Sequence, residues 1–260
     1  MLTNIRELFK AKDLIWAWTG RTVRGRYQQS ILGWFWAVVQ PAASVAIFAL
    51  IFTRFIPVDT GGTPYVIFSY VAMAPWIFLS SSLSDMTNSL VQNMSLVTKI
   101  YFPREVLPIA TMLARLLDFG VASGLLIILM LYYQVTVSVE SLLFLPAIIF
   151  SQLMLIMGLG LMAAALNVFT RDIDPLMKLG LQLWFYASPI IYPVSMVPSN
   201  LLRFYYLNPM AGILQSYRDV LLFGKIPGEY LLQASLMSLL LLILGYWLFK
   251  RVEFQFADIV

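Results

Sequence analysis

Six apolar stretches, at about 34–56, 65–84, 107–133, 142–168, 176–197 and 231–249, dominate this chain. A bilayer core of roughly 30 Å takes about 20 helical residues, and each stretch meets that length. In lipid only helices and closed barrels satisfy their own backbone, and unbroken apolar runs of this length read as helices. The expected fold class is an all-α polytopic membrane protein with six transmembrane helices. Charged residues make up 12% of the chain, against about 25% in a soluble domain. The fifth stretch is the least regular, because Pro189 and Pro193 interrupt it. Proline frees a carbonyl and kinks the axis, so a broken or re-entrant element is expected there.

The first crossing has a sharp edge. Arg21, Arg24 and Arg26 stand in a polar run that stops at Leu32, and an apolar segment opens with Trp34, Phe35 and Trp36. Arginine marks the cytoplasmic side, and tryptophan rings sit at headgroup depth. With the N-terminus inside, 12 of the 17 basic residues fall in cytoplasmic parts, 3 (Arg203, Arg218, Lys225) in external loops, and Arg54 and Arg115 within spans. That asymmetry requires an even number of crossings and both termini in the cytoplasm.

Residues 4–25 read as a basic amphipathic helix lying on the membrane. Ile5, Leu8, Phe9, Ile15, Trp16, Thr19 and Val23 share a face, Asn4 is placed to cap the first turn, and Glu7 follows three positions on. The alternative is a soluble helix packed on a partner domain. Arg6, Glu7, Lys10, Lys12 and Asp13 precede any apolar run, which does not fit a cleaved signal peptide. The expected organisation is one transmembrane domain over 1–260: an interfacial helix at 1–30, a six-helix membrane part at 34–249 and a cytoplasmic tail at 250–260. The inner segment 85–106 alternates polar and apolar residues like a short surface helix, and 57–64 and 134–141 are short connections. The external segment 198–230 is too apolar for a solvated loop, so short helices dipping into the outer leaflet are expected.

Chemistry-bearing residues are sparse. Histidine and cysteine are absent, which removes the commonest general base, all thiolate ligands and any disulfide. No metal site and no cofactor of this chain's own is expected. Gly224-Lys225 is followed by Ile226, and Asp219 stands where a phosphate-binding loop needs glycine, so any ATP hydrolysis belongs to another chain. The net charge of +4 does not point to nucleic acid, because the basic residues sit beside apolar spans and set orientation. Arg115 and Asp118 lie in the third span, Arg115 about 12 Å along the helix from Leu107. They form either a structural i,i+3 pair or a polar lining near a pore mouth. Gly120 and Gly124 offer a close helix contact.

The aromatic residues carry more information. Phe35, Trp36, Phe48 and Phe52 mark span one, and Trp184, Phe185, Tyr186 and Tyr192 cluster in span five. An interfacial belt accounts for the tryptophans at the edge of span one. It does not account for Trp184, Phe185 and Tyr186, eight to ten residues into their span. Flat rings stack on the C–H faces of sugars without fixed hydrogen-bond geometry, so such a lining suits a polysaccharide conduit. Core packing of the same rings is the alternative.

The run Arg26-Tyr27-Gln28-Gln29-Ser30-Ile31-Leu32-Gly33-Trp34-Phe35-Trp36-Ala37, ending in Gln40-Pro41, resembles the membrane subunits of bacterial ABC type-2 polysaccharide exporters. So do Lys99 to Pro108, Arg171-Asp172-Ile173, Ser188-Pro189-Ile190-Ile191-Tyr192, Asn208-Pro209 and the tail from Glu253 to Asp258. The resemblance implies a homodimer in the bacterial inner membrane. It also implies two copies of a separate nucleotide-binding ATPase that holds ATP and Mg, and a lipid-linked polysaccharide substrate such as O-antigen, capsule or teichoic acid. Spans one and five would line a channel between the copies. Coupling to the ATPase would fall on the N-terminal helix and on Met86, Leu90, Met94, Lys99, Tyr101, Phe102, Arg104 and Glu105. An external gate would include Tyr205, Tyr206, Asn208 and Tyr217. Arg21, Arg24 and Arg26 sit where a pyrophosphate-linked lipid head would arrive, or else set topology and bind anionic lipid. A drug or lipid exporter of the same class is the nearest alternative. A secondary transporter would need mid-membrane ionisable groups, and an intramembrane enzyme would need convergent catalytic ones.

Overall fold

A computed structural model describes Leu8 and residues 10–28, 30–100 and 102–257. The expected cap at Asn4 and Glu7, the apolar Ile5 and Phe9, and Tyr101 lie outside the described residues. Those described form helices and no strand. Helix α1 (Lys12–Tyr27) precedes α2 (Trp36–Leu50), which a 3₁₀ turn at Gly33–Phe35 opens and a π-helical turn at Ile51–Phe55 closes. Then come α3 (Tyr65–Gln92), the short α4 (Met94–Lys99) and α5 (Val106–Tyr132). The chain continues with α6 (Val139–Leu142), α7 (Leu145–Phe169) and α8 (Ile173–Tyr186). It ends with α9 (Leu202–Tyr205), α10 (Pro209–Leu221), α11 (Glu229–Val252) and a 3₁₀ turn at Glu253–Ala257.

Helix α3 is the axis of the bundle. Of its most apolar window 78% is buried, against 11% for the first span, so α2 is peripheral and leaves most of its surface uncovered by the rest of the chain. Helices α2, α5, α7, α8 and α10 all pack on α3, α1 lies along α5, and α11 pairs with α7. Glycine sets that last pairing: a Cβ on Gly158 would overlap the backbone at Leu241, and one on Gly245 would overlap the Gly158 carbonyl. Gly120 and Gly124, the pair expected to make a close contact, meet nothing within 4 Å.

Among the described residues five helical segments, not six, are long and apolar enough to cross a bilayer: Gly33–Phe55, Tyr65–Gln92, Val106–Tyr132, Val139–Phe169 and Glu229–Phe256. The expected span at 176–197 is interrupted. Helix α8 stops at Tyr186 after 14 residues, about 21 Å at 1.5 Å per residue. Pro189 lacks the N–H that would continue the ladder and biases Ser188 away from helical backbone. Ser188, Pro189, Ile190 and Ile191 are nonetheless buried, so their peptide groups need partners. Tyr65 donates to the Ile191 carbonyl at 2.7 Å and Arg218 to that of Ile190 at 2.8 Å.

Two further expectations change. Residues 85–92 are not part of a separate surface helix but the last turns of α3, because nothing in them breaks a helix before Asn93. Arg218 is not a loop charge; it is fully buried on α10, itself covered along nearly its whole length. Asn208 caps α10, accepting from Met210 N at 3.0 Å. Gln152 of α7 donates to the Pro75 carbonyl inside α3 at 2.8 Å and accepts from Tyr217 of α10 at 2.9 Å, so one amide joins three helices.

Candidate functional site

Where α1, α3 and α5 meet, four charged side chains form one cluster. Arg26 reaches from α1 to Asp118 of α5 at 2.6 Å and to Asp85 of α3 at 2.8 Å. Arg115 of α5 meets the same Asp85 at 2.7 Å and Asp118, one turn along, at 3.3 Å. Tyr27 donates to the second oxygen of Asp118 at 2.7 Å, and burial together with that carboxylate raises its hydroxyl above the usual range. The Arg115–Asp118 spacing was legible in sequence. Its partners were not, since Arg26 and Asp85 lie 92 and 30 residues from their mates. Arg26 thus sits apart from Arg21 and Arg24. Arg21 lies over the Trp18 ring at 4.4 Å, and Arg24 donates to the Gly20 carbonyl at 3.3 Å. Both flank a groove shared with Tyr27 and Trp34.

The aromatic residues expected along a channel divide into two groups. Phe35 on the 3₁₀ turn before α2, Trp36 at the start of α2 and Tyr186 at the end of α8 are exposed. Phe48, Phe52, Trp184, Phe185 and Tyr192 are half-buried between helices. Phe48 stacks on Phe185 at 5.9 Å and Phe52 on Tyr65 at 5.5 Å, while Trp184 and Phe185 meet Trp76 of α3 edge-on at 5.9 and 5.8 Å. The rings of spans one and five therefore do come together, on one side of α3, with Tyr186 at their uncovered edge. Trp184 also donates to Asn208 at 2.8 Å, which ties α8 to the start of α10.

Among the residues expected to couple to a partner, Lys99 is exposed and Met94, Phe102 and Arg104 are partly so. Met86, Leu90 and Glu105 are buried, so none of them offers a surface to another chain. Met86 fills the space beside Gly160 of α7. Glu105 is 1% exposed and pairs with Lys250 of α11 at 2.8 Å, and Lys250 also holds Glu253 at 3.0 Å. Arg104 donates to the Glu253 carbonyl. Phe256, fully buried, meets Phe169 and Phe249 edge-on at 6.0 and 5.7 Å. The C-terminal turn is thereby clamped beside α4, a contact that no local pattern announced.

The residues expected at an external gate are mostly engaged. Tyr205 and Tyr192 hydroxyls lie 3.0 Å apart, and Tyr206 stacks on Tyr230 at 5.1 Å. Tyr217 is buried in the core, 2% exposed. Sequence reasoning missed Arg218, whose guanidinium reaches the Ile190, Tyr192 and Phe68 carbonyls and lies 3.8 Å from the Phe68 ring centre. No group of three or more acidic side chains is placed to hold a metal among the described residues.

This geometry is that of a helical membrane protein packed around α3, with one face of α2 and α8 left open. The family model for the ABC-2 type transporter matches residues 13–222. The chain belongs to the ABC-2 type transporter family. Curated relatives of this ABC-2 protein extend the match from end to end. It is 28% identical over 260 residues to the O-antigen export system permease protein RfbA of Klebsiella pneumoniae, covering 100% of this chain and 98% of that one. The protein of the same name from Myxococcus xanthus is 28% identical, with 99% of each chain covered. The polysialic acid transport protein KpsM of Escherichia coli is 23% identical over 90% of this chain and 91% of its own. The resemblance read from the sequence motifs holds at the level of family and of these relatives. An ABC-2 membrane subunit transports rather than catalyses.

Proposed function

We propose that this chain is the transmembrane subunit of an ATP-driven exporter that moves a lipid-linked polysaccharide from the cytoplasm across the bacterial inner membrane. The observation that carries the reading is the end-to-end similarity to the O-antigen and polysialic acid transport proteins. Two copies meet through the uncovered face of α2 and α8, placing Phe35, Trp36 and Tyr186 along a channel between them. Residues 176–197, the body of α8 and the non-helical segment after it that is buried at 188–191, make a fifth crossing, α9 and α10 dip from the outer side, and both termini lie in the cytoplasm. Tyr192 and Tyr205, joined at 3.0 Å, stand where a gate formed by that dipping segment would open.

Two copies of a separate ATPase, holding ATP and Mg, dock against α4 and the segment through Phe102 and contact the N-terminal helix. Met86 and Leu90 relay the push as packed core under α4, and Lys99 meets the partner directly. Arg21 and Arg24 receive the phosphate of the lipid head. No carboxylate neutralises either of them among the described residues, whereas Arg26 is already held by Asp85 and Asp118. Bidentate arginine contacts suit phosphate.

Deleting the gene in the native host tests the reading. Lipid-linked glycan should accumulate on the cytoplasmic side and surface glycan should fall, with both restored by the intact gene. Unchanged surface glycan would overturn it, and loss of drug or lipid efflux with normal surface glycan would transfer the chain to another ABC-2 cargo.

A further inference from the structure

A cavity of about 280 Å³ opens beside the four-ion cluster. Arg26, Arg115 and Asp118 form its floor, and Trp36, Phe78 and Phe119 are among its walls. Phe78 and Phe119 stack on each other at 5.1 Å with their planes 13° apart, and the exposed Trp36 ring completes an aromatic side of the cavity. Ser30, Gln40 and Ser81 add neutral polar groups.

The charge of the floor sorts the possible occupants. Two guanidiniums face two carboxylates, so the cluster sums to zero. Each guanidinium gives two N–H groups to those carboxylates, and a guanidinium carries five donors. With Asp85 behind the floor the cluster is therefore neutral as a whole, and the floor is still rich in donors. A phosphate gains little from compensated arginines and meets Asp118 at close range. An alkyl tail would cover hydrogen-bonding groups without replacing their bonds. A neutral sugar ring suits both surfaces, with hydroxyl oxygens for the donors and a C–H face for the rings. The volume lies just below the range of roughly 300–1,000 Å³ typical of small-molecule sites, which limits the occupant to about one ring.

We propose that this cavity is a binding subsite for a single neutral sugar ring of the transported glycan. The proposal rests on the export reading above and deepens it. Arg21 and Arg24 take the phosphate, and the cavity beneath α1 takes a sugar.

Saturation-transfer NMR on the full chain in nanodiscs tests it, with the neutral methyl glycosides of glucose, galactose, mannose and N-acetylglucosamine as probes. Glucose 1-phosphate and decanoate serve as the anionic and alkyl comparators. At least one glycoside should bind saturably in the millimolar range. Ala37→Phe, which fills the cavity, should weaken binding roughly tenfold or more, about 1.4 kcal/mol or above. Gln40→Ala, a rim change that leaves the packing alone, should weaken it severalfold. Both variants should keep the melting temperature of the parent. Binding by none of the glycosides, or equal binding by both variants, would overturn the proposal, as would tighter binding of glucose 1-phosphate or decanoate. This titration does not depend on export. A chain that binds glycosides yet is dispensable for surface glycan would defeat the function and leave the pocket standing.

Discussion

Replacing Lys250 by methionine isolates the clamp on the C-terminal turn. The ammonium lies 2.8 Å from Glu105 and 3.0 Å from Glu253, and Glu105 is 1% exposed. Without it two carboxylates are left close together, one fully buried. Removing one partner of a buried ion pair costs about 3–5 kcal/mol. Lys250 keeps 16% of its side-chain surface, so the lower end, ~3 kcal/mol, applies. At ~2–4 °C per kcal/mol for a chain of this size, the melting temperature should fall by roughly 6–12 °C. Thermal unfolding in detergent at pH 7.5, followed by tryptophan emission, reads this out. The double variant Lys250→Met with Glu105→Gln should recover more than half of the loss, because a neutral amide needs no counter-ion. A fall under ~2 °C, or a double variant no better than the single one, would refute the assignment of the pair as a buried clamp.

Other outcomes follow from particular contacts. The chain has no cysteine, so a single cysteine reports cleanly: Leu50→Cys and Tyr186→Cys should cross-link into dimers with a short bis-maleimide, and the buried Val45→Cys should not. Monomers in all three would exclude the α2 and α8 face as the contact between copies. Gly158→Ala should lose ~1–3 kcal/mol through overpacking and show it as reduced monodisperse yield on gel filtration. Gly120→Ala should match the parent; equal behaviour of the two variants would contradict the α7–α11 packing. Hydrogen bonds from Lys178 and Asn88 hold the Asp174 carboxyl below its ordinary range. Its stabilisation is therefore complete above about pH 4 and fades as pH falls through the depressed value. Lys178 is 62% exposed, so solvent screening keeps the pair under ~1 kcal/mol. Asp174→Asn should lower the melting temperature slightly and equally at pH 5.5 and 8, and a difference that vanished at pH 5.5 would contradict this.

Apolar runs of bilayer length announced all five long apolar helices found among the described residues, and the tryptophans at residues 34 and 36 announced the edge of span one. The prolines of the fifth run announced a break, which the end of α8 at Tyr186 matches, but composition does not say how the broken segment stays buried. What lets that segment lie buried without a helix is Arg218, 28 residues beyond Ile190, and no local pattern carries that pairing. The same limit applies to the ion cluster. Arg115 and Asp118 declared themselves by helical spacing, but Arg26 and Asp85 join them only through the packing of α1 and α3 on α5. Met86 and Leu90 were misplaced for a simpler reason. Their apolar face fits a surface helix as well as a core, and Gly160, which receives Met86, lies on another helix.

Proteoliposomes holding this chain and its ATPase, with a fluorescent lipid-linked glycan added on the ATPase side, test the export claim most directly. The account predicts that ATP carries the glycan into the lumen, beyond the reach of an added glycosidase, and that non-hydrolysable ATP does not. A glycan that stays fully digestible while ATP is hydrolysed would contradict it.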